Sequence, residues 1–525
     1  KPSNHTMFGS ADSQRKNRTL DEYYVEAHKR LTPGCISYLI IFFALGLANM
    51  GDASEIFSIK FLLSDKTFRD EILKGNDGVV VAAHYMGMMV GGIVAGPISD
   101  VYRGRRSTLM FGLFMCSAFG IASSTSTNYW QMSFCRMMVG LGVGTVGACL
   151  PVLTTEHAPS THRGRYNAIV TTSSTIGGLY VASMAMWLFG RLETSWNVYV
   201  LVYSAPGVIS LILVWLFVPE SARHLALQGQ FHEAAAVANY MGEAMGYDDG
   251  DSLYFEEVDH EFKDKKRQER SVGEVRRIIA ELYRGTKRRR MILLQTIWVA
   301  FVFSAGINTW LIRLYQILDL PHPYIMGIIY AAASLPAHLI SIMIMDRYKR
   351  THLLAACAAV LSVTMSGFAV AYDYIDEPIV FISMACSLHF IASLCFSILL
   401  VVTSESFGTA SRSSALGICA ATGRAGAIVV NLLNGTILTS GSSPIIMFLV
   451  AASVALFGAI LIRVSSLQDM TGIPLGDSNP TVPQPNVQEE HPPERQRQTR
   501  SQLLTLPSIE SASREDDSSS SGGYH

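Results

Sequence analysis

Four ionised side chains lie inside long apolar runs of this 525-residue chain. Asp52 and Glu55 stand three residues apart in the first run, so on a helix they share one face. Arg136 and Arg424 lie in two later runs among apolar or small residues. A charge in hydrocarbon costs about 2.5–3.5 kcal/mol on insertion scales, so it usually faces the interior of a helix bundle and has a partner. The types and surroundings of these residues indicate proton or ion binding rather than covalent catalysis.

Further polar residues interrupt the apolar runs, and each has two interpretations. A lone histidine or asparagine in such a run is more often a packing residue than a ligand, although either role fits. Arg424 offers a planar fork that matches a carboxylate, but it could equally bind backbone carbonyls of a neighbouring helix. The candidate solute-binding residues of this kind are His84, Asn308, His389 and Asn431.

The composition indicates that these residues sit in a membrane protein. Hydrophobic residues make up 49% of the chain and charged residues only 16%, whereas a soluble chain carries roughly a quarter charged residues. A span needs roughly 20 mostly apolar residues. We predict an all-α membrane protein with twelve transmembrane helices, at 36–63, 78–98, 107–125, 128–150, 166–189, 196–218, 291–318, 323–345, 351–372, 378–402, 413–435 and 442–463.

The distribution of basic residues predicts the orientation. Arginines follow spans 2, 4, 8 and 10, whereas the connections after spans 3, 7, 9 and 11 contain no lysine or arginine. Basic connections face the cytoplasm, so we expect both termini on that side. The predicted segments are a cytoplasmic N-terminal segment (1–35), a six-helix bundle (36–218), a cytoplasmic linker with amphipathic helices (219–290), a second six-helix bundle (291–463) and a disordered cytoplasmic tail (464–525).

Charged residues recur in the second half of the chain at nearly one offset. Glu156 and Arg163 return as Glu405 and Arg412, each shifted by 249 positions. Asp100 returns as Asp346, shifted by 246 positions. Two pseudo-symmetric six-helix halves are therefore predicted, an arrangement in which many transporters place a solute site between the repeats.

At this point the chain resembles the major facilitator superfamily. The segment from Gly96 to Arg106 is similar to its G-x-x-x-D-R-x-G-R-R signature, with one extra residue before Gly104. Pro219 to Arg223 resembles the PES-x-R signature of sugar porters and organic-ion transporters, and Glu156 with Arg163 to Arg165 resembles their E…RGR signature. The segment Met50 to Glu55 looks like that of the synaptic-vesicle-protein-related transporters.

The resemblance implies roles for the charged residues. In similar sugar porters an acid of span 1 pairs with an arginine of span 4, which predicts an Asp52–Arg136 pair with Glu55 as the alternative partner. Protonation of the acid would then couple a proton gradient to transport; the alternative is a fixed structural ion pair.

A second charged set is expected to form a cytoplasmic gate whose ion pairs part when the bundle opens, although positive-inside topology alone would also place the bases there. It comprises Asp100, Arg105, Glu156, Arg163, Arg165, Glu220, Arg223, Asp346, Arg347, Arg350, Glu405 and Arg412.

The function expected from these observations is secondary active transport of a small organic solute, an acid or zwitterion, in symport with protons. An organic cation or a sugar is the first alternative, and a non-transporting sensor or trafficking protein with the same fold is the second. The sequence contains no phosphate loop, G-x-S-x-G or metal-ligand spacing, so we predict no enzyme activity, cofactor or metal. The expected partners are the solute, protons and the lipid bilayer of a plasma or vesicle membrane, without nucleic acid, and the expected state is a monomer.

Overall fold

Twelve long helices form the framework of the molecule. The computed structural model describes residues 19–32, 35–99, 104–247, 253–254, 258, 261, 272–345, 347–374, 377–407 and 412–465. In these residues twelve helices are long and apolar enough to cross a membrane, which confirms the predicted all-α membrane fold. Spans 1 to 12 are Ile36–Leu62, Asp77–Ile98, Arg105–Ser123, Tyr129–His157, Arg163–Leu188, Trp196–Phe217, Gly285–Ala305, Pro323–Ala332 continued by Ser334–Met345, Arg350–Ala371, Pro378–Glu405, Arg412–Thr439 and Ile445–Val464.

Span 4 shows why some helices run past their predicted ends. It was expected to stop at residue 150, yet the helix continues through Pro151 to His157. The prediction followed the apolar residues, whereas a helix can extend beyond the hydrocarbon as long as its backbone groups stay hydrogen bonded. Span 7 differs in another way, because a 3₁₀ turn at Gly306–Thr309 interrupts it before a short helix, Leu311–Ile317.

The two halves repeat one ion pair. Arg105, the first residue of span 3, pairs with Glu156 near the end of span 4, at 2.7 Å from Nε to Oε2. Arg350, the first residue of span 9, pairs with Glu405, the last residue of span 10. We call the end of the bundle that carries these two pairs the basic end.

At the opposite end the two halves meet closely. Span 2 packs against span 11 there, and a Cβ on Gly435 would lie 2.6 Å from the Cα of Gly78. Only residues without a side chain allow backbones to approach so closely. Asp77 at the start of span 2 also forms an ion pair with Arg313, which follows span 7. The opposite end is therefore closed by contacts that join the two halves.

A short helix precedes the first span and was missed by the sequence analysis. Thr19 and Glu22 form a reciprocal capping box at the start of this N-terminal helix, Leu20–Lys29. Its buried face consists of Leu20, Tyr23, Tyr24 and Ala27, and it packs on the linker helix Phe231–Ala244. That spacing and the T-x-x-E pattern are the helix signals that the sequence already carried.

The described part of the segment between spans 6 and 7 contains three helices. They are Ala222–Leu227, Phe231–Ala244 and Val272–Leu282. The last one contributes buried Leu282 to the core of the second half, while Ile279 on the same helix is exposed. The predicted disordered tail lies outside the described residues from 466 onward.

Candidate functional site

An ion pair between spans 1 and 4 lies at the centre of the first half. The Nη1 atom of Arg136 donates to Oε2 of Glu55 at 3.1 Å, and the two side chains are only 1% and 3% exposed. Ser204 of span 6 donates to the other carboxylate oxygen at 2.8 Å, and Arg136 also donates to Ser123 of span 3. Four helices thus supply the partners that such deeply buried charges require.

This pair corrects the first expectation for Asp52. Arg136 pairs with Glu55, the alternative partner, and not with Asp52. Asp52 is half-buried, and its Oδ1 has no hydrogen-bond partner among the described residues. Because Asp52 precedes Glu55 by three residues, its side chain emerges about 60° away around the helix and points past the Arg136 pair.

Asp52 instead faces the second half of the molecule. It interacts electrostatically with Arg424 of span 11, and both side chains are half-buried. Tyr85 of span 2 is close to the same guanidinium. An acid of one half thus lies near a cation of the other half, with partial access to solvent.

The remaining predicted ligands differ in whether their polar atoms have hydrogen-bond partners among the described residues. Asn431 accepts a hydrogen bond from Trp310 Nε1 at 2.9 Å and donates to the Ala427 carbonyl at 2.8 Å, which fits the packing interpretation. His84 forms a hydrogen bond through Nδ1 with the backbone oxygen of Arg136, but its Nε2 has no partner in the described part of the chain. Asn308 lies on the 3₁₀ turn of span 7, and its buried Oδ1 is likewise unpartnered among the described residues.

His389 belongs to a group that the sequence analysis did not assemble. Its ring stacks on Tyr330 of span 8, with centroids 4.2 Å apart. On span 1, Lys60 is 5% exposed, and its Nζ lies 4.8 Å from the centre of the Tyr330 ring. The sequence signal for this group is a lysine inside the apolar run of span 1.

The predicted gate residues at the basic end are arranged within each half. Besides the two repeated pairs, Arg163 and Arg223 both pair with Asp21 of the N-terminal helix, an acid that the sequence analysis had not included. Arg165 and Arg347 are exposed. Asp100 and Asp346 lie outside the described residues, as does the side chain of Arg412.

Glu220 was predicted to form an ion pair, but its carboxylate accepts backbone hydrogen bonds at the start of span 3. Its Oε1 accepts the backbone N–H groups of Arg105 and Arg106 at 2.9 and 3.0 Å, so the carboxylate caps the first turn of span 3. A carboxylate at a helix N-terminus is favoured by the helix dipole. Gly104, with φ of 80°, makes room for it, because a Cβ there would lie 2.5 Å from Oε2.

The N-terminal helix contributes a titratable group to this end. His28 stacks on His162 with ring centroids 4.5 Å apart and forms a 3.1 Å hydrogen bond with the Tyr166 hydroxyl. Partial burial lowers the pKa of His28 below its ordinary value, and the charges of His162 and Arg165 lower it further.

Together these contacts describe one conformation. The ion pairs described at the basic end join residues of one half and of the segments docked on that half, whereas the Asp77–Arg313 pair at the opposite end joins the two halves. The half-buried Asp52 and Arg424 lie between these ends.

Comparison with known proteins gives consistent matches. Residues 35–466 match the family described as sugar (and other) transporter. Human synaptic vesicle glycoprotein 2B is 32% identical over 210 residues, which cover 37% of this chain and 30% of that protein. Synaptic vesicle glycoprotein 2A from Pongo abelii is 30% identical over 240 residues, 43% of this chain and 32% of that protein. The chain thus matches about a third of the length of these relatives.

Solved structures match over more of the chain. The match to the inward-open xylose transporter XylE from E. coli covers 83% of this chain and 98% of the XylE chain, with a TM-score of 0.64 and 18% identity. Its partially occluded inward-open form gives a TM-score of 0.63 with 16% identity. At this level of identity the likeness concerns the fold.

Proposed function

Because the chain belongs to the sugar (and other) transporter family, we propose that it is a proton-coupled symporter of a small organic solute, an acid or a zwitterion. Membership also confirms the expected relation to the major facilitator superfamily, and the twelve apolar helices make the chain an integral multi-pass membrane protein. Beyond family membership and the membrane fold, we propose the class of solute, the coupling ion and the direction of transport.

The observation that carries the proposal is the interaction with Arg424 of Asp52, which lies on the same helix as the acid that pairs with Arg136. Glu55 already neutralises Arg136 inside the first half, so Asp52 is left to interact with Arg424 across the interface. A proton on Asp52 would remove that attraction between the halves. Since a ligand shifts a conformational equilibrium only by its differential affinity for the two states, a proton bound here can bias the cycle.

Alternating access follows from the distribution of ion pairs. We propose that the basic end faces the cytoplasm and that the described conformation is open towards it. In the outward-facing state the Asp77–Arg313 pair would part, while the arginines of the basic end would exchange their partners within each half for partners across the halves. Exposed pairs contribute only about 0–1 kcal/mol each, so several must act together as the gate.

The test uses the full chain in proteoliposomes with an imposed pH gradient, acidic outside. Labelled nicotinate, glycine betaine, tetraethylammonium and xylose serve as probes, with protein-free vesicles to subtract passive entry. We expect gradient-driven uptake of nicotinate or betaine. Asp52→Asn should abolish the response to the gradient, whereas Glu243→Gln, an exposed carboxylate of the linker, should leave it unchanged. Unaltered proton dependence in Asp52→Asn would exclude the coupling role.

A sugar is the second candidate, and one comparison favours it. The structural matches include a D-xylose–proton symporter, with a TM-score of 0.61 and 17% identity. Gradient-driven uptake of xylose without uptake of the organic ions would favour this alternative. Absence of uptake for every probe, with the protein folded, would favour a non-transporting sensor or trafficking protein.

The proposed location is a plasma membrane or a vesicle membrane. The similarity to two synaptic vesicle glycoproteins supports the vesicle alternative. Imaging of a tagged full chain together with markers of both membranes distinguishes the two.

A further inference from the structure

Lys60 is a buried cation for which no described acidic side chain serves as a partner. It lies two residues before the end of span 1, where a lysine normally extends to the membrane surface. Here the side chain is 5% exposed. In a helix the Cα–Cβ bonds tilt towards the N-terminus, which for span 1 means towards the centre of the bundle. The ammonium group therefore points into the protein and not out of it.

Three aromatic rings surround the ammonium group. Its Nζ lies 4.8 Å from the centre of the Tyr330 ring, 5.0 Å from that of Phe57 and 5.5 Å from that of Phe61. A cation–π contact offsets only part of the free energy that burial of an ion costs. The rings reduce the cost of the buried charge without removing it, and an anion would complete the compensation.

Unpartnered polar atoms lie beside the same rings. The hydroxyl oxygen of Tyr330 and the Nδ1 atom of His389 are buried and have no hydrogen-bond partner among the described residues. The rings of these two residues stack face to face at 4.2 Å, so both polar atoms belong to one small region of the second half. His389 also interacts electrostatically with Lys60. A buried polar group left unpaired costs free energy, which a bound carboxylate could recover.

The position of Lys60 on span 1 separates it from the coupling residues. Around the helix axis, Glu55 emerges about 60° to one side of Asp52 and Lys60 about 80° to the other side. Glu55 accordingly meets the first half, whereas Lys60 meets spans 8 and 10 of the second half. Asp52 lies between them and interacts electrostatically with Arg424 of span 11.

The net charge of the buried side chains also favours an anionic solute. Asp52 and Glu55 offset Arg136 and Arg424, so these four side chains are neutral as a set. Lys60 adds one positive charge to the described core of the bundle. A monoanionic solute would neutralise it, whereas a cation would be repelled.

We infer that Lys60, Tyr330 and His389 form a subsite for the carboxylate group of the transported solute. This inference rests on the proposed transport function and names the class of its substrate, an organic carboxylate. Lys60 supplies the charge, and the Tyr330 hydroxyl and the His389 imidazole supply directed hydrogen bonds to the carboxylate oxygens. The neighbouring faces of Phe57 and Phe61 favour a flat organic group next to the carboxylate.

The test compares acids with their uncharged amides on the purified full chain. Thermal unfolding and equilibrium binding are measured with nicotinate against nicotinamide and with benzoate against benzamide. We expect stabilisation by an acid and at least tenfold weaker binding of its amide. Lys60→Met should lower the affinity for the acid by at least tenfold. Lys66→Met, the same change at an exposed lysine six residues later, should leave the affinity unchanged.

A second variant guards against a folding defect. Tyr330→Phe keeps the ring over Lys60 and removes only the hydroxyl, so we expect a three- to tenfold loss of acid affinity without any loss of stability in the free protein. Equal binding of acid and amide, absence of binding of either acid, or an unaltered acid affinity in Lys60→Met overturns the subsite. If proton-driven uptake of nicotinate is unaltered in Lys60→Met, the subsite fails while transport stands; if no probe is transported by the wild type, the proposed function itself fails.

Discussion

The carboxylate of Glu55 occupies the space that a side chain on Gly120 would fill. A Cβ at Gly120 would lie 2.6 Å from Oε1 of Glu55 and 2.8 Å from Oγ of Ser204. The glycine of span 3 thus makes room for a hydrogen-bonded carboxylate that belongs to span 1. The buried ion pair depends on a missing methyl group as well as on its own two charges.

Replacing Gly120 by alanine should displace this carboxylate. Because the methyl group would overlap both oxygens, we expect a loss of about 1–3 kcal/mol in the free energy of unfolding. Denaturant unfolding in mixed micelles measures it. Gly147→Ala is the matched control, since no atom lies within 4 Å of a Cβ at that position. A Gly120→Ala protein as stable as this control would contradict the description of the site.

Breaking the Glu55–Arg136 pair from one side should destabilise the protein more than removing it entirely. Arg136→Met leaves Glu55 charged and buried, so we expect a loss of about 3–5 kcal/mol in unfolding free energy. The double variant Glu55→Met/Arg136→Met should recover most of that loss. A double variant that is no more stable than Arg136→Met, measured by the same unfolding assay, would be inconsistent with a pair that is buried as a unit.

The Asp77–Arg313 pair should hold the opposite end of the bundle closed. In Asp77→Asn/Arg313→Gln, the attraction between the halves is lost and the close contact at Gly78 and Gly435 should open more often. We expect amide hydrogen exchange at the start of span 2 and the end of span 11 to speed up by about tenfold, which corresponds to about 1.4 kcal/mol. Exchange near the Arg350–Glu405 pair serves as the internal reference. Uniform acceleration at both ends would indicate general destabilisation instead.

Docking of the N-terminal helix should weaken in acid. Burial and the nearby charges hold the pKa of His28 below its ordinary value of about 6.5, which it regains when the helix detaches. The undocked helix therefore binds the proton more tightly, so the contribution of His28 is intact above pH 6.5 and is lost as the pH falls below it. His162, Arg165 and Tyr166 are the titratable and charged groups that face it.

Hydrogen exchange of Leu20–Lys29 at pH 7.5 and 5.5, corrected for intrinsic rates, measures this effect. We expect lower protection at pH 5.5 in the wild type and a smaller difference in His28→Gln. A pH dependence that is the same in both proteins would assign it to a group other than His28.

Much of the fold was predictable because apolar length is a strong signal. The twelve spans appear at the predicted places, and the offset between Glu156 and Glu405 recurs as one ion pair in each half. A bilayer imposes these features on the sequence, since each span must be long, apolar and internally hydrogen bonded. Local polar patterns were harder to interpret, as the N-terminal helix shows.

The partners within the candidate site were less predictable for a geometric reason. Asp52 and Glu55 share one helix face in the sequence, yet about 60° of rotation separates their directions, and this decides which of them meets Arg136. Asp77–Arg313 and Lys60–Tyr330 join residues more than 200 positions apart, and one sequence contains no distance between them. The roles of these residues in transport remain proposals that the experiments above address.

Span 1 carries Asp52, Glu55 and Lys60 on a single rigid helix, and each of the three faces a different neighbour. Turning this helix about its axis would move all three charged groups in the same sense and by the same angle. A torque that arises where one of them changes its charge therefore reaches the other two through the helix itself, without a relay of intervening side chains.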